Sequence, residues 1–246
     1  GRRRLERRVK SLARRIDSRL QAVQTGQKVG PQHISWLRRR LSRVNYLLAF
    51  DRFLEAQNRD SAEFQAYLQQ IQPVLLYLAT LYCKREDTQA AYFCHFLARY
   101  RIQRHMQMDR FQQVLLSYLR KRSLYCRVNA LKAMCAFGSS EMLIQALMEL
   151  EKQPDTPLHE KVITEALLTY TGSAEELIRL IWERFEQFSL STQRAVLDYI
   201  RFQSGAYQAP MLRILQDSGR DRELRFAAIR YFGRYPNAAA RETLLA

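Results

Sequence analysis

Apolar residues recur at helical spacing along the chain. In residues 2–24 they lie 4, 3, 4, 4 and 3 positions apart, which keeps them on one face of a helix. Those residues are Leu5, Val9, Leu12, Ile16, Leu20 and Val23. The pair Gly30-Pro31 then marks a turn and the start of the next helix.

The second segment begins at Pro31 and carries an unbroken apolar heptad. Its members are Ile34, Leu37, Leu41, Val44 and Leu48. Two apolar faces joined by a short glycine-containing turn predict an antiparallel helical hairpin over residues 1–59. Self-association of these two helices as a coiled coil is the alternative interpretation.

Residues 60–122 predict a further helical region. A long helix is expected over 60–83, with a broad apolar face that indicates burial. Pro73 lies inside that pattern, so we expect the helix to kink or break there. Two more helices are expected over 87–104 and 107–121, joined near His105.

Residues 123–246 repeat one short pattern: a small residue, a branched apolar residue, two spacers and a bulky residue. The copies follow one another after 36, 29 and 33 residues, starting at Ala130, Ala166, Ala195 and Ala228. A repeat of this length without strand-like alternation is typical of stacked helix pairs. Ser173, with Glu176 three residues later, predicts a capping box on one of the second helices.

The composition agrees with an all-α fold. The chain has 8 glycines and 6 prolines in 246 residues, too few for the many turns of a strand-rich fold. No two cysteines form a C-x-x-C pair, and all four lie among apolar residues, which favours reduced, buried thiols in a cytosolic protein. They are Cys83, Cys94, Cys126 and Cys135.

The net charge of +16 is concentrated near the N-terminus. Residues 1–60 hold 16 Lys or Arg against 5 Asp or Glu, whereas residues 61–246 hold 24 against 19. This excess favours an anionic partner such as lipid head groups, nucleic acid or an acidic protein, and a solubilising helix face is the plainer alternative. The residues predicted to make anionic contacts are Arg2, Arg3, Arg4, Arg7, Arg8, Lys10, Arg14, Arg15, Arg38, Arg39, Arg40 and Arg43.

The sequence contains no apolar stretch long enough to span a bilayer; the best candidate, residues 73–83, falls well short of ~20 residues. Clustered arginines are, however, typical of residues that flank the cytoplasmic end of a membrane helix. We therefore expect a transmembrane segment upstream of residue 2 and a position at the cytoplasmic side of a membrane. The short last helix leads us to expect further chain after Ala246.

No constellation of residues predicts catalysis. His33, His95, His105 and His159 are scattered, and no Cys/His cluster has metal-ligand spacing. Cys94 precedes His95 directly, so on a helix the two side chains point about 100° apart. Neither a glycine-rich phosphate loop nor a G-x-S-x-G elbow occurs. We expect no enzyme activity, metal or cofactor.

Two copies of the repeat, residues 127–131 and 224–230, resemble the first helix of the HEAT-repeat family in its bacterial HEAT-like form. Each is followed by a glycine and by a second helix that starts at Ser or Asn. The resemblance covers residues 123–246, extends to 86–122 and excludes 1–60. It implies a right-handed α-solenoid of antiparallel helix pairs, here preceded by the basic hairpin. It also implies a binding or scaffolding role rather than a reaction.

Equivalent positions of the second helices carry Gln145, Arg179 and Arg213, within L-I-Q-A-L, L-I-R-L-I and M-L-R-I-L. In a regular stack such positions form a ladder. Because second helices line the concave face in this family, the resemblance implies a partner face there. A solvated polar row is the alternative.

We therefore expect a non-enzymatic scaffold that binds a partner protein at the cytoplasmic face of a membrane. The alternative is nucleic-acid binding through the same basic segment. Some HEAT-like proteins are DNA glycosylases with aromatic and acidic residues in a basic groove, and Trp182 and Asp198 are the residues here that fit such a role.

Overall fold

The computed structural model describes residues 1–58, 60–100, 108–153 and 155–245, apart from the side chains of 108 and 109. Within these ranges it is all-helical and contains no strand, which confirms the predicted all-α class. The predicted junction near His105 and the residue Ala246 lie outside the described residues. The chain divides into two compact units, Gly1–Ala133 and Met134–Ala246, and each is described by itself. The boundaries predicted from the sequence, after residues 59 and 122, stay a prediction.

The helices of the first unit are α1 (Arg2–Gln24), α2 (Pro31–Leu41), α3 (Val44–Glu55), α4 (Ala62–Gln70), α5 (Gln72–Cys83), α6 (Asp87–Tyr100), α7 (Met108–Tyr118) and the start of α8 (Leu124–Phe137). Helices α2, α5 and α7 pack in succession, and α3 packs against α2 and α6. Helix α1 packs mainly against α3 and α4. The segment predicted as a two-helix hairpin therefore contains three helices.

The apolar heptad of residues 34–48 predicts one continuous helix, but the structure breaks it between α2 and α3. Arg43 is extended at this point, with φ −102° and ψ 123°. The Ser42 hydroxyl donates to the Arg38 carbonyl at 2.6 Å, and this local hydrogen bond closes the end of α2.

A contact from a later helix also stabilises this break. The Tyr82 hydroxyl donates to the carbonyl of Leu41, the last residue of α2, at 2.8 Å. The carbonyl at the helix end thus has a partner without a further helical turn. Since the break changes the helical phase, Leu48 of the predicted seam is 37% exposed, whereas Leu47 is fully buried.

The predicted helix over 60–83 is likewise two helices, as expected from Pro73. Helix α4 ends before Ile71, and Pro73 occupies the first turn of α5, where a proline costs no hydrogen bond. Ser61 caps α4 by accepting a hydrogen bond from the Phe64 N–H at 3.3 Å.

The second unit begins within α8 and continues with α9 (Ser140–Glu151), α10 (Glu160–Leu167), α11 (Ala174–Arg184), α12 (Leu190–Gln203), α13 (Gln208–Gln216), α14 (Arg222–Arg234) and α15 (Ala238–Leu245). A short 3-10 helix, Phe185–Gln187, follows α11. Helices α10, α12 and α14 pack side by side, and α9 packs against α11. In contrast, α11 and α13 approach each other very little, which leaves an opening between them.

Short polar side chains start the helices of the second unit, as the sequence predicts. Ser139 caps α9 and Ser173 caps α11, accepting N–H groups at 3.2 and 3.1 Å. In a capping box the Glu176 carboxylate would accept from the Ser173 backbone N–H. In the structure this carboxylate instead accepts a hydrogen bond from the Ser140 hydroxyl at 3.4 Å. The sequence predicts that Gly233 follows the first helix of the last repeat. In the structure Gly233 lies inside that helix, α14, which continues to Arg234.

Candidate functional site

The first candidate surface is the basic face, defined as the twelve Lys and Arg residues between Arg2 and Arg43 that the sequence predicts as anionic contacts. Helix α1 carries eight of them and is amphipathic. Leu12 and Ile16 are fully buried on its inner side. Burial of this side holds the charged side of α1 toward solvent.

Four residues of the basic face form a continuous outer stripe. Arg3, Arg7, Lys10 and Arg14 follow the spacing i, i+4, i+7, i+11, which places them along one line of α1 about 16 Å long. All four are exposed, and no carboxylate of the described residues lies within 4.0 Å of them. The outer stripe is therefore a row of solvated positive charges without internal partners.

Other members of the basic face rest on aromatic rings. The guanidinium groups of Arg8 and Arg40 lie 5.5 and 5.0 Å from the ring centre of Tyr46. Arg40 also donates to the Tyr46 hydroxyl at 2.8 Å. Arg38 lies 4.0 Å from the ring centre of Tyr77. These arginines have packing roles that the sequence did not reveal, because Tyr46 and Tyr77 lie on other helices than α1 and α2.

Arg15 packs on an aromatic ring, and its charge acts on the nearby buried His33. The Arg15 guanidinium lies 4.6 Å from the Trp36 ring centre. His33 is 1% exposed, and its Nε2 lies 2.9 Å from the Tyr67 hydroxyl. Burial, followed by the charges of Arg19 and Arg15, lowers the pKa of His33 to about 4. The imidazole is therefore neutral at pH 7, in a positive potential.

The second candidate surface is the α11–α13 groove, a cavity of about 790 Å³ in the second unit. It lies where these two helices separate. Its lining residues are Ser173, Glu175, Glu176, Arg179, Trp182, Glu183, Tyr207, Pro210 and Arg213. The groove combines aromatic and proline surface with charges of both signs.

Two of the three predicted partner-face residues lie in this groove. Arg179 and Arg213 face it from α11 and α13, and Arg179 forms an ion pair with Glu183 one turn later. No carboxylate of the described residues lies within 4.0 Å of Arg213. Gln145 is exposed on α9 and does not line the groove.

Aromatic side chains give the groove its apolar surface. Trp182 is half-buried, and its ring centre lies 5.0 Å from that of Phe185. The Trp182 Nε1 is buried without a hydrogen-bond partner among the described residues. Burial, and then the charge of Glu175, raises the pKa of Tyr207.

Asp198, the acidic residue considered for a glycosylase-like role, is placed differently. Its carboxylate lies 3.3 Å from Arg201 and 3.6 Å from Arg230. It does not line the α11–α13 groove with Trp182. Trp182 and Asp198, the two residues considered for a glycosylase-like role, therefore do not line the same groove.

The neighbouring residues Cys94 and His95 do not share one site. Cys94 is buried and His95 is exposed, so the two neighbours face different surroundings as predicted. A hydrogen bond with Cys94 lowers the pKa of Cys126, and burial raises that of Cys94. In the described ranges, no group of three or more His, Cys, Asp or Glu side chains is arranged to hold a metal ion.

Comparisons with known protein families, with curated proteins and with solved structures each gave no match. Across the part of the chain that the structure describes, no helix has both the length and the apolar character needed to cross a bilayer.

Proposed function

We propose that this protein is a non-enzymatic scaffold of the HEAT-like type. In this proposal the α11–α13 groove holds a partner protein, and the basic face lies against an anionic membrane surface on the cytoplasmic side. The observation that carries the proposal is the groove, because it is open, has aromatic and proline surface, and carries charges of both signs.

Contacts near the repeat spacing within residues 123–246 support the HEAT-like part of the proposal. The Tyr235 hydroxyl donates to the Arg201 carbonyl, 34 residues earlier, at 3.0 Å. The Arg220–Glu186 ion pair spans 34 residues, at 2.8 and 2.7 Å. A stacked repeat requires such contacts between neighbouring repeats. We propose that the helix pairs wind as a right-handed solenoid, which an experimental structure with helices gathered into a closed bundle would refute.

The charges of the groove support a protein partner. Glu175 and Glu176 lie near the start of α11, whereas Arg213 on α13 has no carboxylate within reach among the described residues. A peptide segment with a carboxylate for Arg213 and a basic residue for the glutamates would complement both. Trp182, Tyr207 and Pro210 would contact its apolar side chains, as aromatic residues do at interface hot spots.

The groove can be tested by site-specific photo-cross-linking in cells. A cross-linking amino acid at Tyr207 should give a discrete protein product, whereas the same group at Tyr125, 77% exposed in the first unit, should not. The double substitution Arg179→Glu and Arg213→Glu should remove the product. The matched control is Lys161→Glu with Arg241→Glu, two exposed residues outside the groove. A product that persists in the groove variant would refute this site.

The outer stripe supports the membrane part of the proposal. Basic residues near an anionic bilayer contribute about 1 kcal/mol each. The triple variant Arg3→Gln, Arg7→Gln and Arg14→Gln should therefore weaken binding to phosphatidylglycerol vesicles by at least about tenfold. The control variant carries Lys161→Gln, Arg184→Gln and Arg241→Gln, the same charge change in the second unit, and should bind nearly as the parent does.

The same experiment decides between membrane and nucleic acid. Binding to duplex DNA or RNA with a steep inverse dependence on salt, together with no vesicle binding, would establish the nucleic-acid alternative. Vesicle binding that depends on the outer stripe would support the membrane surface. Equal effects of the two triple variants would refute a localised contact at α1.

A further inference from the structure

A hollow of about 600 Å³ lies in the basic face of the first unit, beside the exposed side of α2. Its lining residues are Arg15, Pro31, Gln32, Ser35, Trp36 and Arg39. It therefore combines two cations from different helices with a hydroxyl, an amide and an aromatic ring. We call it the Arg15–Arg39 hollow.

The two arginines of this hollow are exposed and available. No carboxylate of the described residues lies within 4.0 Å of Arg15 or Arg39. Arg15 lies 4.6 Å from the Trp36 ring centre, and the indole itself is only 8% exposed. A guanidinium resting on a buried ring is held in place, while its N–H donors remain free to bind an anion.

The surroundings of the hollow add positive potential. His33, from the same helix as Trp36, is neutral at pH 7 and lies near Arg15 and Arg19. The Ser35 hydroxyl and the Gln32 amide are exposed at the edge of the hollow and can donate further hydrogen bonds. Two guanidinium groups and neutral donors match a doubly charged phosphate better than a singly charged one.

We propose that the Arg15–Arg39 hollow binds the phosphate monoester head group of a membrane lipid, with phosphatidic acid as the simplest example. This inference rests on the proposed membrane contact of the basic face and specifies its ligand. A monoester carries nearly two negative charges near pH 7 and three free oxygens, whereas the diester of phosphatidylglycerol carries one charge. The hollow recognises the monoester, and the outer stripe supplies attraction without head-group preference.

The test compares vesicles of phosphatidic acid with phosphatidylcholine, and vesicles of phosphatidylglycerol with phosphatidylcholine, adjusted to equal surface charge. The parent protein should bind the phosphatidic acid vesicles about tenfold more tightly, which is the effect of one charge-assisted hydrogen-bond pair. Arg15→Gln with Arg39→Gln should abolish this preference. The control, Arg3→Gln with Arg14→Gln, makes the same charge change outside the hollow and should weaken both affinities while keeping their ratio.

A second variant separates geometry from charge. Arg15→Lys with Arg39→Lys keeps the net charge but removes the bidentate donors, so it should lower the ratio of the phosphatidic acid affinity to the phosphatidylglycerol affinity. Urea unfolding of each variant checks that the fold is intact. Fluorescence of Trp36, measured in a Trp182→Phe background, should change only with phosphatidic acid vesicles.

The outcomes are distinguishable. Equal loss of preference in the hollow variant and the outer-stripe control, or no preference in the parent, would overturn the inference and leave the proposed membrane contact standing. No binding to either vesicle would overturn both. Tight binding of free glycerol 3-phosphate without a vesicle preference would assign the hollow to a soluble phosphate and refute the lipid ligand.

Discussion

Contacts with aromatic rings separate the basic residues of α1 and α2 into two kinds. Arg8, Arg38 and Arg40 lie against tyrosine rings, so their substitution removes packing as well as charge. Arg3 and Arg14 of the outer stripe have no such contact among the described residues. Substitutions in the outer stripe therefore test charge alone, which is why the binding experiments use them.

At the same scale, His33 predicts a dependence of stability on pH. Its pKa falls from 6.5 to about 4 on folding, a change worth about 3 kcal/mol. The unfolded chain binds a proton below pH 6.5, whereas the folded protein stays neutral at this position down to about pH 4. The contribution of His33 to the free energy of unfolding should thus fall between pH 6.5 and 4 and stay constant below.

His33→Gln should remove this dependence while an amide keeps a hydrogen bond to the Tyr67 hydroxyl. Urea unfolding at pH 7 and at pH 4.5 measures it. The parent should lose about 2 to 3 kcal/mol more than the variant over this interval. Equal losses in the two proteins would show that the protonation of His33 is not coupled to folding.

At the scale of the element, the sequence predicts where most helices lie but not where tertiary contacts interrupt them. The repeat around Ala130 and the cap at Ser173 are local patterns, and local patterns are sufficient to place those helices. The break between α2 and α3 is stabilised by the local hydrogen bond of Ser42 and by Tyr82, which lies 41 residues after Leu41. No periodicity within residues 34–48 encodes such a partner, so the continuous heptad was misleading.

In the candidate site, too, local patterns predicted some features and tertiary packing determined the others. Equivalent positions in the repeat placed Arg179 and Arg213 on corresponding helices, and both line the groove. The separation of α11 from α13 was not predictable, because it depends on how helices pack and not on the pattern of either one. The Arg15–Arg39 hollow was also missed, since it joins residues of α1 and α2 that are far apart in sequence.

Tyrosine hydroxyls at helix ends give an element-scale prediction. Tyr82→Phe removes the donor to the buried Leu41 carbonyl, so it should lower the free energy of unfolding by about 1 to 3 kcal/mol. Tyr118→Phe should act similarly through Ala79, because Tyr118 is also fully buried. Tyr125→Phe is the control.

Urea unfolding monitored by circular dichroism measures these three variants. Tyr125 is 77% exposed, so its substitution should change stability by less than about 0.5 kcal/mol. A loss at Tyr125 as large as that at Tyr82 would contradict the assigned role of the helix-end hydroxyls.

At the scale of the whole molecule, charge is distributed unevenly. Residues 1–60 contribute +11 of the net +16, the difference between 16 basic and 5 acidic residues. Ion pairs between packed helices occur in both units, such as Arg99 with Asp51 at 3.3 Å and Arg194 with Glu160 at 2.8 Å. Salt therefore has two opposing effects: it screens the repulsion among the N-terminal charges, and it screens the attraction within these ion pairs.

We expect repulsion to dominate, since the outer stripe has no internal carboxylates within reach among the described residues. Raising NaCl from 50 to 500 mM should then increase the free energy of unfolding by on the order of 1 kcal/mol, measured by the urea midpoint. Replacing Arg3, Arg7 and Arg14 by Gln should reduce this gain more than replacing Lys161, Arg184 and Arg241 does. A midpoint that falls with salt would mean that the ion pairs between helices outweigh the repulsion along α1.

The same salt increase should weaken vesicle binding, so stability and membrane affinity should change in opposite directions in one protein. That opposition would identify the outer stripe as a surface whose charge serves binding and not folding.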